Sequence, residues 1–550
     1  MKPLVGLSPL LLPVHVGAEA PSPTVALDSG PIVGLTTSLP SGMAPVDKYL
    51  GIPYAAKPER FSRPRKPEPW TKPLDATTFG ASCRQLFVEN EFAPGMDVLR
   101  GLFDTASNES EDCLFINAFA PASPRPPEGR PVVLFIHGGG WQQGNGEADL
   151  GGFAAYEDIV AFAFNYRTNG TSMAQSLGWT NGAVFGFPNS PDMSPTEINL
   201  GLYDQQLAIG WVQANARAFG GDPSKVTIWG ESAGSLSVDI HLNTYGSSPP
   251  FRGAIMFSGQ MSIGLLGSTA NPQDVSNWDN LAAVAGCKDS KDQLQCMRDV
   301  PEDDLVEAMS TAGSAFLPVT DNVTLLSGRA ERWREGQIAK VPVLTGTIAE
   351  EGRGLVNRNL SFDKFLSVFL AEPLISREQR EAILRAYEGD PSLETDFDIA
   401  AAIYTDFWWQ CPQAILANIS ASTNPTWRFY FNTSITSLFG DEYAWLGKFH
   451  GSDVALLFSQ PTFEGDASLT PQLYTFANYF RSIVGRFVRN PEAGPGWPAV
   501  GSRYRPLDVA VLGDVGEESS AGATAVGGLD ERCSLYEAIY PVVEKYVLSI

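Results

Sequence analysis

The sequence predicts an α/β protein: one large domain with a central, mostly parallel sheet, helices on both faces, and a helical insertion late in the chain. Three observations carry this. The runs "RPVVLFIHGGGW" and "DIVAFAFNYR" are apolar at nearly every position, as strands covered on both faces are. A helix-patterned stretch separates the second of them from a third strand. After that strand comes "GESAGS" (230–235), and a helix-forming segment follows, so the order reads strand, helix, strand, sharp turn, helix.

Taken in order, "TVALDSGPIVGLT" gives two short strands around an Asp-Ser-Gly turn, a hairpin. The Pro-rich stretch at 121–131 is a short surface loop between strands. In 199–223, Leu200, Tyr203, Leu207 and Trp211 fall at helical spacing, and "GGDP" stops the helix before the strand "SKVTIW". "VPVLTGTIAEEGRG" is a further strand running into a glycine-containing loop. Residues 360–420 are patterned as helices, "TWRFYFN" returns to the sheet as a strand, and "SLYEAIYPVVEKYVLSI" is a terminal helix.

Composition narrows the function classes. The formal net charge of −24 argues against nucleic acid or an anionic membrane surface as a partner, because both require concentrated Lys and Arg. The first twenty residues hold a lysine, an apolar run too short to span a bilayer, and small residues suited to cleavage after Ala18 or Ala20. Residues 1–20 therefore read as a secretory signal and 21–550 as the mature domain. No later segment is apolar for about eighteen residues, so no transmembrane segment is expected. Secretion agrees with six glycosylation sequons, at Asn108, Asn169, Asn322, Asn359, Asn418 and Asn432. It also agrees with an even cysteine count: Cys83, Cys113, Cys287, Cys296, Cys411 and Cys533 pair as neighbours in one of fifteen possible schemes. With no C-x-x-C or H-x-x-x-H spacing, neither a metal nor another cofactor is expected.

G-x-S-x-G alone is weak, since chance supplies about 0.4 matches in a chain with this much glycine and serine. The strand-turn-helix setting strengthens it. Two glycines allow a turn too tight for a Cβ, which lifts the Ser232 hydroxyl clear of the backbone as a candidate nucleophile. A serine needs a base, and the chain has four histidines. His15 leaves with the signal, His137 opens "HGGGW" where its backbone neighbours matter more than its ring, and His241 lies too far along the following helix to reach back. His450 in "GKFHGSD" remains. An imidazole base needs a carboxylate behind it. Glu350 and Glu351 stand at the end of a sheet strand between Ser232 and His450, and the residues themselves leave the two even. Glu231 adjoins the nucleophile and is a candidate buried supporting carboxylate. Backbone N–H groups of Gly139, Gly140 and Ala233 are candidate donors to a developing oxyanion.

These blocks resemble the type-B carboxylesterases and lipases, an α/β-hydrolase family that includes cholinesterases and secreted fungal lipases. The resemblance rests on "YLGIPYA" (49–55), "SEDCLFINAF" (110–119), "HGGGW", the long block 199–235, "EEG" (350–352) and "FHGSD" (449–453), and it is greatest with secreted fungal members. It implies the α/β-hydrolase fold, an ester substrate cleaved through an acyl-enzyme, Glu351 as the acid, the Gly139, Gly140 and Ala233 oxyanion donors, and the neighbour disulfide scheme. One departure stands out: no tryptophan lies between Cys83 and Cys113, where cholinesterases stack the choline cation, so choline-ester specialisation is not expected. The same loop carries Phe92, Met96, Leu99 and Phe103 at helical spacing, either a flap over an apolar acyl pocket or a helix packed permanently on the core. A catalytically silent binding protein and an acyltransferase are the competing functions, and neither the natural substrate nor the oligomeric state can be read from the sequence.

Overall fold

The computed structural model describes residues 22–85, 108–168, 184–458 apart from 268, 315 and 373, 470–501, 509–513, 523–525 and 528–542. The expected signal, Asn169 and the four residues read as either a flap or a packed helix, Phe92, Met96, Leu99 and Phe103, lie outside them.

Fourteen strands are formed among these residues. They are β1 (Thr24–Ala26), β2 (Pro31–Val33), β3 (Leu35–Thr37), β4 (Val46–Pro53), β5 (Leu74–Asp75), β6 (Phe115–Pro121) and β7 (Arg130–Ile136), followed by β8 (Val160–Phe164), β9 (Gly221–Glu231), β10 (Gly253–Phe257), β11 (Val343–Ile348), β12 (Thr426–Phe431), β13 (Ala510–Leu512) and β14 (Ala523–Ala525). The expected hairpin is β1 paired antiparallel with β2, in a small sheet that β5 completes. Eleven strands form the main sheet in the order β14-β13-β12-β11-β10-β9-β7-β8-β6-β4-β3. Its centre, from β8 to β13, is parallel, and the flanking pairs β13–β14, β8–β6, β6–β4 and β4–β3 are antiparallel.

The central strands bury both faces, which is why their sequences do not alternate. Val132, Leu134, Ile136, Phe162, Phe164, Ile228 and Met256 face the helices Leu200–Asn215, Ala233–Tyr245 and Cys411–Ser420. Val133, Phe135, Trp229, Phe257 and Phe429 face the helices Gly151–Glu157 and Pro471–Arg489. Each such fully buried side chain contributes about 1.5–3 kcal/mol.

The order of strands fixes where a site can form. The chain steps from β7 outward to β8 and then returns across β7 to β9, so the sheet reverses direction there, and a crevice opens at the carboxyl ends of β7 and β9. Ile136 pairs with Gly230, which puts the loop starting at His137 beside the turn starting at Glu231.

The helix expected from the spacing of Leu200, Tyr203, Leu207 and Trp211 is present as Leu200–Asn215. Leu200 and Trp211 are buried and Tyr203 and Leu207 half-buried, and Leu202, Ala208, Ile209 and Val212 are buried too, alongside polar Asp204 and Gln205, because the helix is covered on most of its circumference. Asp204 is held by a bidentate ion pair with Arg167, and Gln205 by His241 and Ser237. Where a terminal helix is expected from Ser534, a 3-10 helix, Glu531–Leu535, and a turn come first, residues 540–542 are α-helical, and those beyond 542 lie outside the described set. The helical insertion is present as Phe362–Phe369, Arg377–Glu388, Asp396–Tyr404 and Cys411–Ser420, with a π-helical segment, Thr405–Gln410, joining the last two.

Disulfides join Cys83 to Cys113, Cys287 to Cys296 and Cys411 to Cys533. Asn108, Asn322, Asn359 and Asn418 are exposed, whereas Asn432 is buried at the end of β12, where a glycan has no room in the folded chain. Among the described residues no helix is long and apolar enough to cross a membrane, and no group of three His, Cys, Asp or Glu side chains could hold a metal.

Candidate active site

Ser232 follows β9 directly and precedes the helix Ala233–Tyr245, with φ +51° and ψ −124°. A non-glycine residue with that backbone is strained, and the turn holds it there: Ser232 N–H donates to Phe257 O at 3.0 Å and Leu236 N–H to Ser232 O at 2.9 Å. The flanking glycines follow from close approach. A Cβ on Gly230 would lie 2.1 Å from the backbone of Gly234, and one on Gly234 would lie 2.0 Å from Ile136 O at the end of β7.

His450 arrives from the turn between β12 and the helix Ser452–Phe458, 218 residues further along the chain. Its Nε2 is 2.8 Å from Ser232 Oγ, and its Nδ1 is 2.6 Å from Glu351 Oε2. Glu351 opens the turn after β11 and is fully buried, with Oε1 accepting Ile348 N–H at 2.8 Å. Gly352 is required beside it, since a Cβ there would stand 2.4 Å from Ala401 O. Hydroxyl, imidazole and carboxylate therefore lie in line. Such a line can pass a proton from Ser232 to His450 while the carboxylate offsets the charge gained.

Glu350 turns elsewhere. Its Oε2 accepts Lys448 N–H at 2.8 Å and its N–H donates to Lys448 O at 3.1 Å, so it clamps the segment that leads to His450.

The loop after β7 carries Gly139 and Gly140, with φ +91° and +66°. It is anchored by Gln142 N–H to Gly139 O, Gly144 N–H to Gln85 Oε1, and the buried Trp141 Nε1–H to Ser237 Oγ. Ala233 occupies the first helical position, whose N–H has no acceptor within the helix. His137 and His241 do not approach Ser232 through their rings. The His137 ring stacks on Tyr166 at 4.2 Å and burial lowers its pKa to about 4; His241 Nε2 is 3.0 Å from Gln205 Oε1 and burial lowers its pKa to about 3.

Two further carboxyls crowd the imidazole. Glu231 is fully buried, Oε1 is 3.4 Å from His450 Nε2, and neither oxygen has a hydrogen-bond partner. Burial, then the neighbouring Glu351, push its pKa well above the carboxylate range. Gly138 leaves room for it, since a Cβ would stand 2.5 Å from Glu231 Oε2. Asp453 is likewise buried and its pKa is raised by burial, then by Glu231 and Glu351. Sequence reasoning assigned Asp453 no task although it stands in the quoted "FHGSD". It also missed Trp409, whose ring lies 4.4 Å from that of His450.

A cavity of about 230 Å³ opens on the far side of the acid-bearing turn, lined by Glu350, Arg353, Asp406, Lys448 and Arg532 among others. Its charged lining does not suit an acyl chain.

A reversing parallel sheet with a strained serine turn at its crevice defines an α/β-hydrolase. Residues 21–507 match the carboxylesterase family, and the chain belongs to it. It is a carboxylesterase/lipase-type ester hydrolase. The chain is 30% identical to secreted lipase 1 of Botryotinia fuckeliana (strain B05.10), over 83% of this chain and 84% of that protein. It is 31% identical to lipase 2 of Diutina rugosa, over 80% and 83%, and 31% identical to lipase 4 of the same organism, over 71% and 73%.

Proposed function

We propose that the chain is a secreted serine carboxylic-ester hydrolase that works through an acyl-enzyme. Ser232 attacks the ester carbonyl, and His450 takes its proton and returns it to the departing alcohol. Glu351 holds the imidazole in one tautomer. The N–H groups of Gly139, Gly140 and Ala233 receive the charge on the carbonyl oxygen, a contribution of about 3 to 4 kcal/mol for each donor. Water, deprotonated by His450, then releases the acid and restores the Ser232 hydroxyl.

The observation that carries this reading is the line of three groups at 2.6 and 2.8 Å, buried where water does not weaken it. Glu231 supports the site as a buried carboxyl. Residues 1–20 act as the secretion signal and 21–550 as one mature domain, a division supported by the family match beginning at residue 21 and by a relative named a secreted lipase. The relatives' names also support a lipid ester as substrate. Among the described residues, exposed Asn108, Asn322, Asn359 and Asn418 are the glycan acceptors the folded surface admits.

The test is labelling by a fluorophosphonate together with hydrolysis of p-nitrophenyl esters. One equivalent should attach at Ser232, and Ser232→Ala should lose both labelling and turnover by orders of magnitude. Turnover unchanged in that variant rejects the mechanism, and a wild-type chain that neither labels nor hydrolyses is a binding protein on this fold. Product partition toward an added alcohol identifies an acyltransferase instead.

A further inference from the structure

The π-helical segment Thr405–Gln410 is an irregularity in the helical insertion, clamped at one end to the acid-bearing turn after β11 and at the other to β11 itself. Thr405 Oγ1 accepts the N–H of Gly352, the residue after Glu351, at 2.9 Å and donates to Ala401 O. The Gln410 amide oxygen accepts the Thr347 hydroxyl on β11, and its NH2 donates to Asp530. The wide turn between these two anchors projects Trp409 onto His450. The indole is 2% exposed, and its ring centroid stands 4.4 Å from the imidazole centroid with 44° between the planes.

We propose that Trp409 is a positioning residue for the base: its indole face holds the His450 ring in line between Ser232 and Glu351 and attracts the imidazolium formed at each proton transfer. This rests on the reading of His450 as the general base. A cation within about 6 Å of an indole centroid is attracted by the ring quadrupole, most strongly where water is excluded, and Trp provides more of this than Phe. The uncharged imidazole feels little of it. The interaction therefore strengthens on the way to the transition state, when the proton leaves Ser232, which is the condition for it to raise the rate.

Among the described residues, the other groups facing His450 are Ser232, Glu351, Glu231 and Asp453. Asp406, in the same π-helical segment as Trp409, is engaged by the Tyr387 hydroxyl. None of these is removed by a change at 409, so their effect on the imidazole is a constant background in the comparison.

The experiment measures kcat/KM for a soluble p-nitrophenyl ester across pH in wild type, Trp409→Phe and Trp409→Leu, with fluorophosphonate labelling and thermal unfolding of each. The base must be uncharged to act, so the acidic limb marks loss of the imidazolium proton. Without the indole the imidazolium is less favoured. The limb is expected to move to lower pH by about half a unit or more in Trp409→Leu, with plateau kcat down about three- to ten-fold, and Trp409→Phe in between. An acidic limb that stays in place in a folded, labelling-competent Trp409→Leu protein overturns the proposal while leaving the base assignment intact. So does a Trp409→Phe variant as impaired as Trp409→Leu. If both variants unfold, Trp409→Tyr and Trp409→Met form the comparison, with the same limb shift deciding. A wild-type chain that neither labels nor hydrolyses removes this proposal together with the base assignment.

Discussion

Glu350 and Glu351 are neighbours in the chain that serve different parts of the site: Glu351 Oε2 lies 2.6 Å from His450 Nδ1, while Glu350 Oε2 accepts the Lys448 N–H at 2.8 Å. The 3-10 turn starting at Glu351 separates their directions. One carboxylate meets the imidazole and the other fastens the backbone two residues before it.

The two neutral variants should therefore differ sharply. Glu351→Gln offers an amide where the imidazole needs an anion and can select the wrong tautomer, so kcat should fall by roughly 10⁴. Glu350→Gln keeps an oxygen for Lys448 and should stay within about tenfold of wild type, with any loss accompanied by a lower melting temperature. Equal losses in the two variants, measured on the same ester, would refute the division of roles.

Gly234→Ala and Gly210→Ala form a second contrast. A Cβ on Gly234 meets the carbonyl oxygens of Ile136 at 2.0 Å and His137 at 2.8 Å, and backbone neighbours cannot yield as a side chain can. That variant should lose about 3 kcal/mol or more of stability, or fail to accumulate, and should not label. Gly210 lies exposed within the helix Leu200–Asn215 with nothing within 4 Å of an added Cβ. Its alanine should stabilise the protein by about 0.5–1 kcal/mol in urea unfolding. A tolerated Gly234→Ala would mean that the turn does not require its tight packing.

Asp406 gives a prediction with pH. Burial raises its pKa from 3.8 to about 6, against the opposing Tyr387 hydroxyl bond and Arg532, with Asp530 adding to the rise. A carboxyl with a raised native pKa binds its proton more tightly folded than unfolded. Its favourable contribution is complete below about pH 4 and is lost as pH climbs through 6. The side chain is 18% exposed beside the charged cavity, so the loss is at most about 3 kcal/mol. Asp406→Asn has no such titration. Wild type measured against it in urea should lose ground between pH 4 and pH 7, and a difference that does not change with pH would contradict the assignment.

How much of this was legible varies residue by residue, for physical reasons. The buried strands announced themselves because a parallel sheet covered on both faces needs apolar side chains at every position, as in Val160–Phe164. The serine turn was legible because its backbone tolerates only glycine at 230 and 234. His450 could be singled out because so few histidines exist. The helix Leu200–Asn215 was legible from its spacing, but its burial nearly all round was not, because its polar Asp204 and Gln205 find buried partners that no local pattern specifies.

The sequence by itself determined the strand, helix, strand, tight turn, helix order around Ser232 and the set of residues able to supply a base and an acid, since these depend on local conformational limits and residue chemistry. Residue chemistry left Glu350 and Glu351 even, and only the family resemblance pointed to Glu351; the tertiary structure alone decided what Glu350 holds instead, which acids crowd around the imidazole, and that an indole from a π-turn lies against its ring. Those relationships join segments up to 218 residues apart, and the crossover of the sheet between β7 and β9, together with close packing at its carboxyl edge, sets them.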